Sequence, residues 1–401
     1  MTVPLSVLDL SPVPAGGVPG DALRNSVDLA QVAERAGYLR YWVAEHHLVP
    51  GLASSSTPVL AALIAAATST IRVGSGAALL PNTPPLQVAE QFGTIAAVHP
   101  GRVDLGLGRF DLHRILRLVH GTEQTGTEQT GIEQNSTERN GTEQSSGGPT
   151  PPAESRVVDG LLVPAPARFV GDPSIYAEYA TMLGFSADDT PPDYDAQVGD
   201  LLAWFGGTAR RPDGSPLHVL PAEGAEIDVW VLGSNPGASA RTAGARGLPF
   251  AANYHVQPST VLETVAAYRE AFRPSERLDR PHVMVSADVV VADTDDRARE
   301  LAAPYAQWVL DIRTGRGAQP YVTPEQARAR DWTDAERGAV QDRVDTQFVG
   351  SPATVVEQLR TLARVTRADE LLVTTITTDH ADRVRSTELL ADAWTDAVVA
   401  A

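Results

Sequence analysis

The stretch "IRVGSGAALLPNTPPLQVAEQFGTIAAVHPGRVDLGLGR" (71–109) contains the pattern that decides the fold. An apolar run from Ile71 to Leu79 reads as a strand. A helical repeat follows, opened by Pro84-Pro85 and closed by His99-Pro100-Gly101, and a second strand runs from Arg102 to Gly108. A strand, a helix and a strand joined this closely form a βα unit of a parallel sheet. The same alternation continues on both sides. Upstream, "LSVLDL" (5–10) is the first strand, and "DALRNSVDLAQVAERAG" (21–37) is a helix with Asp21 as N-cap and Gly37 just past its end. "YLRYWVAE" (38–45) is the second strand and "TPVLAALIAAATST" (57–70) the second helix. Downstream, "DVWVLG" (228–233), "LPFAANYH" (248–255), "PHVMVSADVVVA" (281–292) and "ADELLVTTITTD" (368–379) are strands, each followed by a helical pattern. Eight βα units predict an α/β fold, a (β/α)8 TIM barrel forming one domain over 1–401, with insertions after strands four and seven.

The first insertion, at about 118–155, carries "GTEQTGTEQTGIEQNSTERNGTEQSS" (121–146), a degenerate Thr-Glu-Gln repeat. With one aliphatic residue, Ile132, it buries too little to offset its ordering entropy, so a disordered surface loop is expected. The second, at about 310–345, is irregular in pattern. Composition narrows the function further. A hydrophobic content of 43% with 20% charged residues suits a globular chain with a substantial core. A formal charge of -18 disfavours nucleic acid and anionic membrane surfaces as partners. The absence of cysteine excludes disulfides, thiolate nucleophiles and Cys-type metal sites. Neither a secretory signal nor a membrane span is legible, which predicts a cytoplasmic protein.

In a parallel barrel, reacting groups gather where the strands end at their C-termini. That rule selects Glu45, His46 and His47 after strand two, Arg109 after strand four, Ser234 and Asn235 after strand five, His255 after strand six, and Asp379 after strand eight. Alternation along an extended segment would send only one of His46 and His47 into the mouth and pack the other under a helix. In "VLGSNPGASA" (231–240), Ser234 or Asn235 can cap a helix and Pro236 suits its first turn, leaving N–H groups from Gly237 through Ala238 to Ser239 to face an anion. Arg109 could supply the matching cation, although a lone arginine there is more often a salt bridge across the barrel rim. "GLG" and "GSG" do not complete a dinucleotide fingerprint, since Asp111 stands where a third glycine is needed.

The pieces "GYLRYWVAEHHLVPG", "ATSTIRVGSGAALLPNTPPLQVAEQFGTIAAVHPGRVDLGLGRF" and "WVLGSNPGASARTAGARGLPFAANYH" resemble the bacterial luciferase-like flavin-dependent monooxygenases. That resemblance implies a barrel using reduced FMN, delivered by a separate NAD(P)H-dependent flavin reductase, and dioxygen to oxygenate a small organic substrate through a flavin peroxide. It maps the flavin phosphate to Arg109 and to Ser234, Asn235, Gly237, Ala238 and Ser239. It picks His46 as the catalytic histidine, with Glu45 beside it, and makes the second insertion a mobile lid bearing Trp308, Arg313 and Tyr321; His255, selected by its strand-end position, joins these three as a candidate substrate or lid residue. A homodimer is also implied. No cysteine follows strand four, which counts against light emission from a long-chain aldehyde. Alternatives are a deazaflavin-dependent hydride-transfer oxidoreductase, a non-catalytic flavin-binding protein, and a metal hydrolase using His46, His255 and Asp379. The last lacks the His-x-His pair usual after strand one of such barrels, and no metal ligand set is assigned.

Overall fold

The computed structural model describes residues 3–110, 112–119, 154–167 and 174–399; the Thr-Glu-Gln repeat lies outside them. Among the described residues there are eleven strands: β1 (Leu5–Asp9), β2 (Arg40–Val43), β3 (Arg72–Leu79), β4 (Val103–Gly108), β5 (Arg156–Val158), β6 (Leu161–Val163), β7 (Ile227–Gly233), β8 (Phe250–Asn253), β9 (Val283–Val291), β10 (Phe348–Gly350) and β11 (Glu370–Thr374). Eight of them pair in parallel in the order β1-β2-β3-β4-β7-β8-β9-β11, and β11 returns to β1 through Leu371 opposite Leu5. The barrel is closed, as the βα count predicts. β10 adds to β9 outside the ring, and β5 with β6 forms an antiparallel hairpin.

Outside the strands run α1 (Pro19–Arg35), α2 (Thr57–Ala67) and α3 (Pro85–Val98), then, in the insertion after β4, α4 (Leu112–Val119), α5 (Ser174–Met182) and α6 (Tyr194–Phe205). α7 (Ala238–Ala245) and α8 (Val261–Ala271) follow β7 and β8. After β9 come α9 (Asp295–Ala302), α10 (Tyr305–Arg313), α11 (Pro324–Arg328) and α12 (Asp334–Asp345), then α13 (Pro352–Thr366) and, after β11, α14 (His380–Val399). The second insertion is therefore helical where its pattern reads as irregular. Thr323 and Thr333 each form a capping box that starts a helix there. α1 begins at Pro19 with Val18 as N-cap, so Asp21 does not cap it; it pairs with Arg24 in the first turn.

Strand alternation divides the core in two. Val7, Tyr41, Val43, Val73, Val229 and Val231 face the helices, while Leu8, Trp42, Trp230, Ala251, Met284 and Leu372 fill the barrel. The N-terminal end of the barrel is closed by a buried polar plug. Arg40 lies 2.9 Å from both carboxylate oxygens of Asp104 and donates from Nε to Glu370 at 3.1 Å, while Trp42 Nε1 donates to Asp104 at 2.8 Å. Trp42 and Trp230 meet edge to face above it, with ring centres 5.3 Å apart. Chemistry is thereby confined to the other end, whose floor includes Leu8 and Gly76. A Cβ on Gly76 would lie 2.8 Å from Leu8 Cδ1, so the backbone can approach the barrel axis there only without a side chain.

Candidate active site

At the C-terminal ends of the strands lies a cavity of about 360 Å³, within the size range of cofactor and ligand sites. Leu8, Leu10, Ala44, Val49, Leu52, Leu79 and Leu232 line its apolar part. Of the residues singled out from sequence, Glu45, His46, Arg109, Ser234, Ser239, His255 and Trp308 share this cavity.

The β2 loop brings both histidines to the wall. β2 ends at Val43, after which Ser54 Oγ donates to Ala44 O and His46 N–H donates to Ser54 O at 2.8 Å. Leu48 adopts a left-handed backbone with φ 55°. The loop is folded back on itself rather than extended, so the alternation that would hide His47 under a helix does not operate. Both rings line the cavity. Glu45 does not reach His46. Its Oε1 lies 2.9 Å from His47 Nε2, its Oε2 accepts from the Leu79 N–H at 3.2 Å, and the His47 ring stacks on Tyr179 of α5 with centres 4.7 Å apart. His46 is half-buried, its Nδ1 is buried with no hydrogen-bond partner, and burial followed by the neighbouring His47 lowers its pKa to about 4. His255, at the end of β8, packs Nδ1 against Ser286 Oγ at 2.6 Å. Burial, then Arg343 and His46, lower its pKa to about 3. Both imidazoles are neutral at pH 7.

The polar loop after β7 differs in detail from its expected capping. α7 starts at Ala238 with Gly237 as N-cap, so neither Ser234 nor Asn235 is the N-cap residue, and Pro236 lies outside the helix. Ser234 is instead held by Thr260, whose Oγ1 donates to Ser234 O at 2.6 Å, and by Asn253, whose Nδ2 donates to Ser234 Oγ at 3.0 Å. The N–H groups at the start of α7 have no acceptor within the helix. Arg109 borders both the main cavity and an adjoining one of about 220 Å³, which it shares with Ala238, Thr242 and Tyr194. Asn235 is buried and, like Gly237 and Ala238, does not line the main cavity.

The segment after β9 contributes Trp308, Ile312, Gly317, Ala318 and Arg343 to the wall. Arg313 and Tyr321 do not reach it. Arg313 makes a bidentate pair with Asp342 of α12 (2.5 and 2.7 Å), and Tyr321 is buried in the inner core with its backbone bonded to Val13 and Ala15. Asp379 bonds to the Ala381 N–H at the start of α14 and lies outside the cavity lining. Among the described residues no three His, Asp or Glu side chains group as a metal site, and no helix is long and apolar enough to cross a membrane.

Two groups on the cavity wall were not singled out from sequence. Asp288 accepts from Tyr305 Oη, and Arg343 donates to the same Oη from Nε at 3.1 Å and Nη2 at 2.9 Å, lying 3.5 Å from Asp288. The signal was present in "VMVSADVVV": Met284, Ser286 and Asp288 alternate, which marks the inward face of that strand. Phe110, Tyr176 and Tyr179, half-buried, form an aromatic wall beside His47. Tyr176 and Tyr179 belong to the insertion, where no barrel rule assigns a position.

The family model described as luciferase-like monooxygenase matches residues 3–122 and 202–369, and the chain belongs to that family. A luciferase-like monooxygenase of Escherichia coli (strain K12) is 34% identical over 391 residues, 98% of this chain and 97% of its own length. The crystal structure of apo-MsnO8 superposes with a TM-score of 0.73 at 29% identity, covering 98% of both chains. The same fold is shared by the oxygenating constituent of 3,6-diketocamphane monooxygenase from the CAM plasmid of Pseudomonas putida in complex with FMN (TM-score 0.57, 17% identity, 99% of each chain). It is shared too by an F420-dependent secondary alcohol dehydrogenase (TM-score 0.58, 12% identity, 98% and 99%). The protein is an oxidoreductase of the luciferase-like monooxygenase family.

Proposed function

We propose that the protein is a flavin-dependent monooxygenase that uses reduced FMN and dioxygen to oxygenate a small organic substrate, the flavin being reduced by a separate NAD(P)H-dependent reductase. The observation that carries this reading is one cavity combining an apolar body, a cationic corner and neutral imidazoles. The residues present suit FMN. Arg109 and the N–H groups at the start of α7 would hold the phosphate, with Ser234 and Ser239 alongside. The bare backbone at Gly76 and the apolar wall of Leu8, Ala44 and Leu232 suit a flat ring system. When bound and reduced, FMN supplies the electrons that activate dioxygen for transfer to the substrate.

The chain's own part is to bind, exclude water and handle protons. Trp308, Ile312 and Ala318 cover the cavity from the segment after β9 and keep bulk water from the reacting centre. His46 would act as the acid or base at the substrate, and its burial keeps it neutral and able either to donate or to accept. Glu45 would act through His47, which it holds against Tyr179, rather than through His46. The name of the Escherichia coli relative and the FMN in the diketocamphane enzyme support flavin over deazaflavin. Titration of the apoprotein with FMN and with F420, followed by fluorescence, tests this. FMN should bind, and Arg109→Ala should weaken it at least tenfold, equivalent to about 1.4 kcal/mol. F420 binding with FMN excluded would replace the monooxygenase with a hydride-transfer enzyme.

A further inference from the structure

A line of hydrogen bonds links the loop after β7 to His255. Asn253 Nδ2 donates to Ser234 Oγ (3.0 Å), which turns Asn253 Oδ1 toward Ser286, whose Oγ donates to it at 3.1 Å. Ser286 Oγ also lies 3.4 Å from Ala252 O, and with its proton on either oxygen it accepts from His255 Nδ1, 2.6 Å away. A neutral imidazole carries one N–H, so His255 holds its proton on Nδ1 and presents a bare Nε2 at the cavity wall. His46 has the opposite arrangement. Its buried Nδ1 has no hydrogen-bond partner, and an unmet buried N–H costs more than an unmet lone pair, which puts the proton of His46 on Nε2. One cavity thus holds two neutral imidazoles, one a donor and one an acceptor.

We infer that His255 is a specificity-determining contact whose Nε2 accepts a hydrogen bond from a substrate hydroxyl, and that the substrate class is phenolic. A hydroxyl donor matches the acceptor polarity of His255. The ring follows from the half-buried faces of Phe110, Tyr176 and Tyr179 on the same cavity, which favour an aromatic neighbour. This rests on reading the cavity as the oxygenation site. Arg343 and His46, the charged or titratable groups that act on His255, both disfavour a second proton on it, which preserves the acceptor.

The experiment uses the full-length chain labelled with 15N-histidine, apo and loaded with FMN, and long-range proton–nitrogen NMR at neutral pH. The expected spectrum has Nε2 of His255 as its unprotonated nitrogen and Nδ1 as that of His46. Phenol should shift the His255 Nε2 signal and bind about five- to tenfold more tightly than anisole, the worth of one neutral hydrogen bond. His255→Phe should abolish that preference and His255→Gln, which keeps an acceptor, should restore part of it; Ser286→Ala should mix the two tautomers. A protonated Nε2 on His255, or equal response to phenol and anisole, overturns the proposal. Cyclohexanol bound as tightly as phenol overturns its aromatic part. The tautomers are read without cofactor, so a failure of FMN to bind would sink the flavin reading and leave this result standing.

Discussion

The cavity is walled by two additions to the barrel that are built on different physics. On the side after β9, α10 and α12 are tied to the strand by a buried polar cluster, Asp288 with Tyr305 and Arg343, and to each other by Arg313 with Asp342. On the side after β4, α5 meets the β2 loop through a ring stack, Tyr179 on His47, backed by the small apolar cluster of Leu112, Ile115, Leu116, Ala177 and Ala180. A buried ionic cluster is costly to break by one partner, because the other is left charged in a poor solvent. A half-buried ring stack is cheap to lose. The first wall is latched and the second is the cheaper to open, so movement that admits substrate is expected on the α5 side.

The largest expected effect breaks the latch. Arg343→Met leaves Asp288 buried beside Tyr305 alone, and a loss of about 3–5 kcal/mol in urea unfolding is expected. The double variant Arg343→Met/Asp288→Asn should recover most of it, and equal losses in both would show that the charge pairing is not what matters. Next comes pH, which probes the imidazoles between the two walls. His46 and His255 titrate at about 4 and about 3 in the native state, below the ordinary value of 6.5. The unfolded chain then binds protons first as pH falls, so stability should be full above pH 6.5 and decline toward pH 4 and below. Urea unfolding across that range should show a shallower decline in His46→Gln and His255→Gln; unchanged slopes would contradict the assigned shifts. Smaller is Arg313→Ala, expected to cost about 1.5–3 kcal/mol as a lost charge-assisted contact, without altering FMN affinity, because Arg313 does not line the cavity. Smallest is Tyr179→Ala, expected to cost about 0.5–1.5 kcal/mol in stability. It should nonetheless raise hydrogen peroxide release relative to product, since it opens the yielding wall to water. Peroxide leakage from Arg313→Ala but not from Tyr179→Ala would reverse the comparison.

Much of this arrangement was legible from the chain. Each barrel strand appears as a run of apolar residues ended by a turn signal, because both faces of a barrel strand are buried and the pattern is local. The strand-end rule then gathered Glu45, His46, His47, Arg109, Ser234 and His255, which do share one cavity, together with Asn235 and Asp379, which do not line it. Legibility failed where the local pattern depends on distant partners. Arg313 and Tyr321 sit in a segment whose rotation is set by Asp342 and Val13, and neither partner is implied by their own neighbours. Glu45 and His47 are two residues apart, yet their pairing exists because the loop folds back through Ser54 and His47 meets a ring from α5.

By itself, then, the sequence determined the closed parallel barrel, the family, and the ring of strand ends from which the cavity is built, since these follow from short-range periodicity and turn chemistry. Tertiary structure alone decided that Glu45 serves His47, that Arg313 clasps α12 instead of facing the cavity, and that Asp288 and Arg343 join its wall. Those outcomes are settled by which side chains from remote segments compete for one buried charge or one bare ring face, and no window of neighbouring residues contains that competition.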